Sequence, residues 1–203
     1  MSAARPFVLC LTGSIGMGKS ATARFFAEAG VPVHDSDAVV HALYEGGATA
    51  AIEAAFPGST AGGKVDRGKL AAMVVDDKAA LARLEAMVHP LVGKSRDEFL
   101  AAAQARADPV VVLDIPLLFE IGGAGSCDAV VVVSAPADMQ RARVFEWPGM
   151  TEEKFASLLA RQVPDEEKRR RADFIVDSSR SFEHARAQVR DILEAIAKMP
   201  RKR

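Results

Sequence analysis

Apolar residues along this chain fall into two kinds of pattern. Short unalternating runs occur at Phe7 to Leu11, Val31 to His34, Val110 to Leu113, Ala129 to Val133 and Phe174 to Val176. Such runs suit parallel strands buried on both faces. Pro32 removes a ladder donor from the second run, which predicts an edge strand or a very short one. Between the runs the apolar positions take helical spacing. Helices are predicted over Ala21 to Ala29, Ala38 to Tyr44, Ala48 to Phe56, Ala137 to Glu146 and Thr151 to Gln162. A last helix, from about Phe182 to Lys198, carries Phe182, Val189, Ile192, Leu193 and Ile196 on one stripe.

The block from about Ala48 to Arg106 has no strand signal and reads as helical, broken by a loop from Pro57-Gly58 to Gly62-Gly63. Asp66 is placed to cap a helix carrying Leu70, Met73 and Val74. Leu81, Leu84, Met87 and Val88 mark the next, which Pro90 kinks or restarts before a further helix from about Val92 to Ala107. Strands alternating with helices predict an α/β fold with a doubly wound parallel five-stranded sheet. The expected organisation is one domain of 203 residues. Its core covers about 5–37, 108–136 and 172–200, with an inserted helical region at about 38–107 and a helical lid at about 137–171.

The first strand leads into Gly13-Ser14-Ile15-Gly16-Met17-Gly18-Lys19-Ser20, which fits G-x-x-x-x-G-K-[ST] at every fixed position, and a helix-forming stretch follows from Ala21. Strand, glycine-rich turn and helix are the context that makes this pattern a phosphate cradle of P-loop kinase type. Glycines let backbone N–H groups converge, and the helix N-terminus adds positive partial charge. Lys19 is the candidate for the β/γ-phosphates and Ser20 for Mg²⁺. The candidate nucleotide-binding residues run from Gly13 through Ala21.

In open α/β sheets ligands sit beyond the carboxyl ends of the strands. Asp37, after the second run, is therefore the candidate base for an acceptor hydroxyl; its chemically silent alternative is a helix N-cap, a role open to Ser36 as well. For Asp35, capping, contact with a metal-bound water and substrate contact all stay open. Asp114 ends its strand at a Walker-B type of position and is the second candidate metal ligand. Lid cations are sought among Arg141, Arg143, Arg161 and Arg169.

Composition narrows the classes. Lys plus Arg is 26 and Asp plus Glu is 27, so charge gives no sign of a nucleic-acid partner. No apolar stretch approaches the roughly 18 residues of a membrane span. Cys10 and Cys127 lie in or beside apolar segments and are expected as buried, reduced thiols of a cytoplasmic protein. The chain contains no Asn, which excludes the Asn-Lys-x-Asp element of GTPase switches.

The residues together resemble the dephospho-coenzyme A kinases, from about residue 7 to 195. The similarity rests on the loop Leu11 to Ser20, Asp35-Ser36-Asp37, Asp66-Arg67 with Leu70, and Leu84-Glu85 leading to His89-Pro90. It continues through Asp114-Ile115-Pro116-Leu117-Leu118-Phe119-Glu120, Gln140 with Arg143, Gln162, Lys168 and Ala172-Asp173. The resemblance implies ATP-dependent phosphorylation of the ribose 3′-hydroxyl of dephospho-coenzyme A, with ATP and Mg²⁺ as cofactors. It makes Asp37 the base, Lys19 the phosphate clamp, Ser20 a metal ligand and Arg143 the lid cation. Asp35, His89, Pro116, Leu117, Leu118 and Glu120 would border the acceptor. For His89 a plain helix-end histidine beside Pro90 is an equal alternative.

Two positions depart from the family's pattern. Trp147 stands where an Arg usually follows Arg143 by four residues, and Asp177-Ser178-Ser179-Arg180 replaces Asp-Asn-x-Gly. A nucleotide-binding regulator without efficient transfer therefore stays open, as does a nucleoside or nucleoside monophosphate kinase. The oligomeric state is unknown at this stage.

Overall fold

The first apolar run becomes β1 (Phe7–Thr12), buried along its whole length in a computed structural model that describes residues 4–200. The other sheet strands are β2 (Val33–Asp35), β5 (Val110–Asp114), β6 (Ala129–Ser134) and β7 (Phe174–Asp177). Their spatial order is β2-β5-β1-β6-β7, so the strand that feeds the glycine-rich turn lies at the centre. β1 pairs in parallel with β5 and β6, and β6 with β7. Leu11 faces Asp114, Thr12 faces Val132, and Ser134 faces Asp177, so their carboxyl ends share one rim. β2 is three residues long and lies at the edge, in keeping with Pro32 beside it.

Helices cover the sheet because their apolar stripes need a partner surface. The helix α1 (Lys19–Glu28) contributes Phe25 and Phe26, and α9 (Phe182–Ile196) contributes Val189, Ile192 and Ile196, to one core with Leu9, Leu11 and Val131. Phe26 is fully buried and stabilises by about 1.5–3 kcal/mol. Phe182 does not join that stripe: it is exposed and meets Phe25 edge to face. Between β6 and β7 come α6 (Ala137–Phe145), α7 (Glu152–Ala160) and α8 (Asp165–Arg170). Thr151 caps α7 by accepting from Lys154 N–H.

Contacts divide the chain into two compact units, Asp35–Ala101 and the residues flanking it on both sides. The Asp35–Ala101 unit holds α2 (Ser36–Ala42), a π-helical turn at Leu43–Gly47 and α3 (Thr49–Ala55). A hairpin of β3 (Thr60–Ala61) and β4 (Lys64–Val65) follows, then α4 (Arg67–Val74) and most of α5 (Lys78–Ala105). Ile52, Phe56, Leu70, Leu84 and Val88 form its core.

Three expectations for this stretch are corrected. The block does contain strands: β3 and β4 pair antiparallel across Gly62-Gly63, whose φ values of 58° and 79° suit a two-residue hairpin turn. Glu53 braces that hairpin by accepting from Gly58 N–H and from the N–H and hydroxyl of Thr60. Pro90 does not divide the last helices, because α5 runs through it for 28 residues. The cap of α2 is neither Ser36 nor Asp37: Asp35 keeps an extended backbone, and its carboxylate accepts from Ala38 N–H at 3.0 Å.

Cys10 and Cys127 are buried as expected but are not free thiols; they are joined in a disulfide. In the β1–β6 register Cys10 lies opposite Val130; Cys127, just before β6, comes to a Cα–Cα distance of 5.8 Å from Cys10, within the span of a disulfide. Among the described residues no helix is long and apolar enough to cross a membrane.

Candidate functional site

The loop between β1 and α1 follows from two backbone demands. A side chain on Gly13 would meet the Val133 carbonyl at 2.8 Å, and one on Gly16, at φ 75°, would meet Val144 Cγ2 at 2.5 Å. Only glycine passes both points. The first-turn N–H groups of α1 lack intrahelical acceptors and present positive partial charge at the loop. Lys19 opens that helix, and Ser20 and Ala21 follow it in the first turn, Ser20 being exposed.

Lys19 Nζ lies 2.6 Å from Asp114 Oδ1, joining two predicted site residues in one ion pair. Asp114 is 2% exposed there and Lys19 14%. The strand register explains the meeting, since Asp114 lies opposite Leu11, two residues before Gly13. The loop after β5 is tied to the same rim: Thr12 donates its hydroxyl hydrogen to the Pro116 carbonyl, and Ile115 N–H donates to the Leu11 carbonyl.

Side chains from later in the chain hold the loop from outside. Gln140 Nε2 donates to the Ile15 carbonyl at 2.7 Å, and Ile15 N–H donates to Gln162 Oε1 at 3.1 Å. Ser178 Oγ donates to the Met17 carbonyl at 2.7 Å. Arg143 donates to Ser178 Oγ at 3.0 Å, to the Ser178 carbonyl at 2.6 Å, and at 3.4 Å to the Gly16 carbonyl. Met17 Sδ accepts from Ala135 N–H. Arg143 is thus engaged on the loop and on the segment after β7. Arg141 instead pairs with Glu152 on the outer surface.

In the sequence, Asp177-Ser178-Ser179-Arg180 offers a Ser hydroxyl and backbone groups for adenine contact, and does not show that Ser178 holds the phosphate loop. The signal that was available is the spacing of Gln140 and Arg143, three apart on α6 and so on one face.

Beyond the carboxyl ends of β6 and β7 lies a cavity of about 290 Å³, lined by Ser134, Ala135, Pro136, Arg169, Ile175, Asp177 and Ser179. The Ser179 hydroxyl and N–H hold the Asp177 carboxyl below the usual carboxylate range, with Arg180 and His184 adding to the effect. Trp147 is exposed on the turn after α6.

The predicted acceptor residues part company. Leu117 is exposed and Pro116 half-buried, but Leu118 is fully buried and packs beside Gly123, which corrects its assignment to a substrate surface. Glu120 binds within its own unit, where Oε1 accepts from Val163 N–H at 2.8 Å and lies 2.9 Å from Lys168 Nζ. In the Asp35–Ala101 unit, Asp37 is exposed in the first turn of α2, and His89 is exposed within α5 just before Pro90.

Lys168 is wholly buried, so its ion pair with Glu120 is structural. Burial pushes the Glu120 carboxyl up, but the Lys168 and Val163 hydrogen bonds outweigh it and hold the group below its ordinary 4.5. A depressed folded value means that the unfolded chain takes up the proton first as pH falls. The pair's stabilisation is therefore complete above about pH 4.5 and is lost as pH drops through the lower folded value. Lys168→Met leaves a half-buried carboxylate and is expected to cost about 3–5 kcal/mol in urea unfolding at pH 7. The double variant with Glu120→Gln should cost less, and an equal loss would refute the pairing.

The dephospho-CoA kinase family profile matches residues 7–184. A Bradyrhizobium diazoefficiens protein named dephospho-CoA kinase is 60% identical over 196 residues, covering 97% of this chain and 98% of its own. The crystal structure of TT1252 from Thermus thermophilus matches with a TM-score of 0.84 at 34% identity, over 95% of this chain and 99% of that one. Dephospho-CoA kinase from Campylobacter jejuni matches over 95% of this chain and 98% of its own, with a TM-score of 0.66. At 22% identity that last likeness is one of fold.

Proposed function

Because the chain belongs to the dephospho-CoA kinase family, we propose that it transfers the γ-phosphoryl group of ATP to the ribose 3′-hydroxyl of dephospho-coenzyme A, yielding coenzyme A and ADP. The observation that carries this reading is Lys19, held against Asp114 at the mouth of a loop whose carbonyls are tied outward. The loop N–H groups and the α1 N-terminus would hold the β-phosphate, and Lys19 would swing from Asp114 onto the β- and γ-oxygens. Exchange of a carboxylate for phosphate keeps the ammonium paired throughout.

Ser20 and Asp114 offer hard oxygen donors, a set that fits Mg²⁺ sharing most of its coordination with phosphate and water. Bound there, the ion would neutralise charge on the transferring group. Asp37 is proposed as the base that takes the 3′-hydroxyl proton while its oxygen bonds to phosphorus and the β–γ bridging oxygen leaves with ADP. Asp35, capping α2, would set the direction of that helix's first turn. The Asp35–Ala101 unit, with His89, is proposed as the acceptor-binding region, together with Pro116 and Leu117. A cytoplasmic setting is proposed, and because disulfides are rare there, the redox state of Cys10–Cys127 is worth measuring.

The test is transfer from ATP·Mg²⁺ to dephospho-coenzyme A, with AMP, CMP and adenosine as parallel acceptors. Product with dephospho-coenzyme A alone is expected. Transfer to a nucleotide or nucleoside instead would discard the acceptor assignment and keep the phosphate site. ATP binding without any transfer would favour a regulatory role.

A further inference from the structure

Arg143 donates to the phosphate loop itself at the Gly16 carbonyl, at a long 3.4 Å, and makes its two shorter contacts to Ser178. Ser178 Oγ accepts from Arg143 at 3.0 Å, and Arg143 also grips the Ser178 carbonyl at 2.6 Å. A hydroxyl has one hydrogen to give. With the guanidinium donating into its oxygen, that hydrogen goes to the Met17 carbonyl at 2.7 Å. In a planar trans peptide the N–H points opposite the C=O. A Met17 carbonyl held outward therefore turns the Gly18 N–H inward, toward the side where a phosphate would lie. Gln140 does the same one turn earlier, holding the Ile15 carbonyl and so aiming the Gly16 N–H.

The fit is tight enough to be particular. Gly18 sits at φ 87°, and a side-chain carbon on it would come within 3.3 Å of both Cβ and Oγ of Ser178. Ser178 is a short hydroxyl wedged against the peptide it aims, at the position where the family resemblance would place an Asn. Arg143 and Val144 sit side by side on α6, and Val144 is the residue that excludes a side chain from Gly16. One helix therefore supplies both the wall and the donor.

We propose that Arg143 and Ser178 form a positioning pair for the P-loop, in which Arg143 orients the Ser178 hydroxyl and Ser178 fixes the Met17–Gly18 peptide for phosphate. The inference rests on nucleotide binding at this loop, and it reassigns Arg143 from a lid cation on the γ-phosphoryl group to a residue acting through Ser178. The two roles separate on ADP, which carries no γ-phosphate. A positioning pair supports ADP binding, whereas a cation for the transferring group supports kcat alone.

The experiment is calorimetric titration of the full chain with ADP, for wild type, Arg143→Ala, Arg143→Lys, Ser178→Ala and the Arg143→Ala/Ser178→Ala double variant, with steady-state kinetics on each. Arg143→Ala and Ser178→Ala should each weaken ADP by about tenfold, and the double variant by about the same rather than a hundredfold, since the two act as one unit. Arg143→Lys keeps the charge but loses the fork, and should bind ADP as poorly as Arg143→Ala. Unchanged ADP affinity in Ser178→Ala overturns the pair, and so does an Arg143→Ala defect confined to kcat or restored by Lys. Ser178→Ala removes a single oxygen, so its result stands even if an Arg143 variant folds poorly. Wild-type protein that binds no ADP would instead overturn the nucleotide reading, and the pair would fall with it.

Discussion

Lys19→Ala is expected to lower kcat/KM for phosphoryl transfer by at least about 10²–10³-fold, the loss typical when one preorganised donor to transition-state charge is removed. The Lys19 side chain is 14% exposed and its ammonium already lies 2.6 Å from Asp114 Oδ1, so it meets arriving phosphate with little reorganisation. The same change strips a partner from a carboxylate that is 2% exposed, and a lower melting temperature should accompany the lost activity. Lys19→Ala combined with Asp114→Asn separates the two effects. It should recover stability and remain inactive, because the neutral amide needs no counter-charge while the phosphate clamp is still missing. Single-turnover rates with ATP·Mg²⁺ and dephospho-coenzyme A are the check, and a near-wild-type rate in Lys19→Ala would end the phosphate-clamp argument.

The phosphate loop was legible in the sequence because its conformation is decided locally. Gly13, Gly16 and Gly18 admit backbone paths that other residues resist, and the apolar run before them is long enough for one strand buried on both faces. The placing of Asp114 toward the loop was legible, since a strand ending in Asp carries its carboxylate to the rim where the loop begins; its ion pair with Lys19 was not. Elements decided by distant neighbours were not legible. The tie from Arg143 to Ser178 spans 35 residues and exists only because α6 and the segment after β7 converge on the loop. The Cys10–Cys127 bridge spans 117 residues and depends on β6 lying beside β1.

The hairpin in the Asp35–Ala101 unit escaped for a different reason. Strands of two residues show no alternation, and only the Gly62-Gly63 pair marked the turn. Pro90 predicts a kink or a restart because a helix interior loses one hydrogen bond there. The packing of Leu84 and Val88 into that unit's core opposes the loss, and α5 continues.

Asp37→Asn is expected to lower kcat by about 10²–10⁴-fold with little change in the affinity for ATP, as removal of a general base does. The competing explanation for an aspartate at this point in the chain was a helix cap, and the structure gives that role to its neighbour. Asp35 keeps an extended backbone at φ −96° and ψ 109° and accepts from Ala38 N–H, whereas Asp37 is already inside the helix with an exposed side chain. An acid in the first turn still interacts favourably with the helix dipole, by about 0.3–1 kcal/mol, so Asp37→Asn should cost little stability. Asp35→Ala should show the converse, losing about 1 kcal/mol of stability through the missing cap and less activity than Asp37→Asn. Paired measurement of melting temperature and kcat in the two variants decides the matter. If Asp37→Asn keeps its rate while Asp35→Ala loses it, the base has been placed two residues too late, and Asp35 is the carboxylate to test against the 3′-hydroxyl.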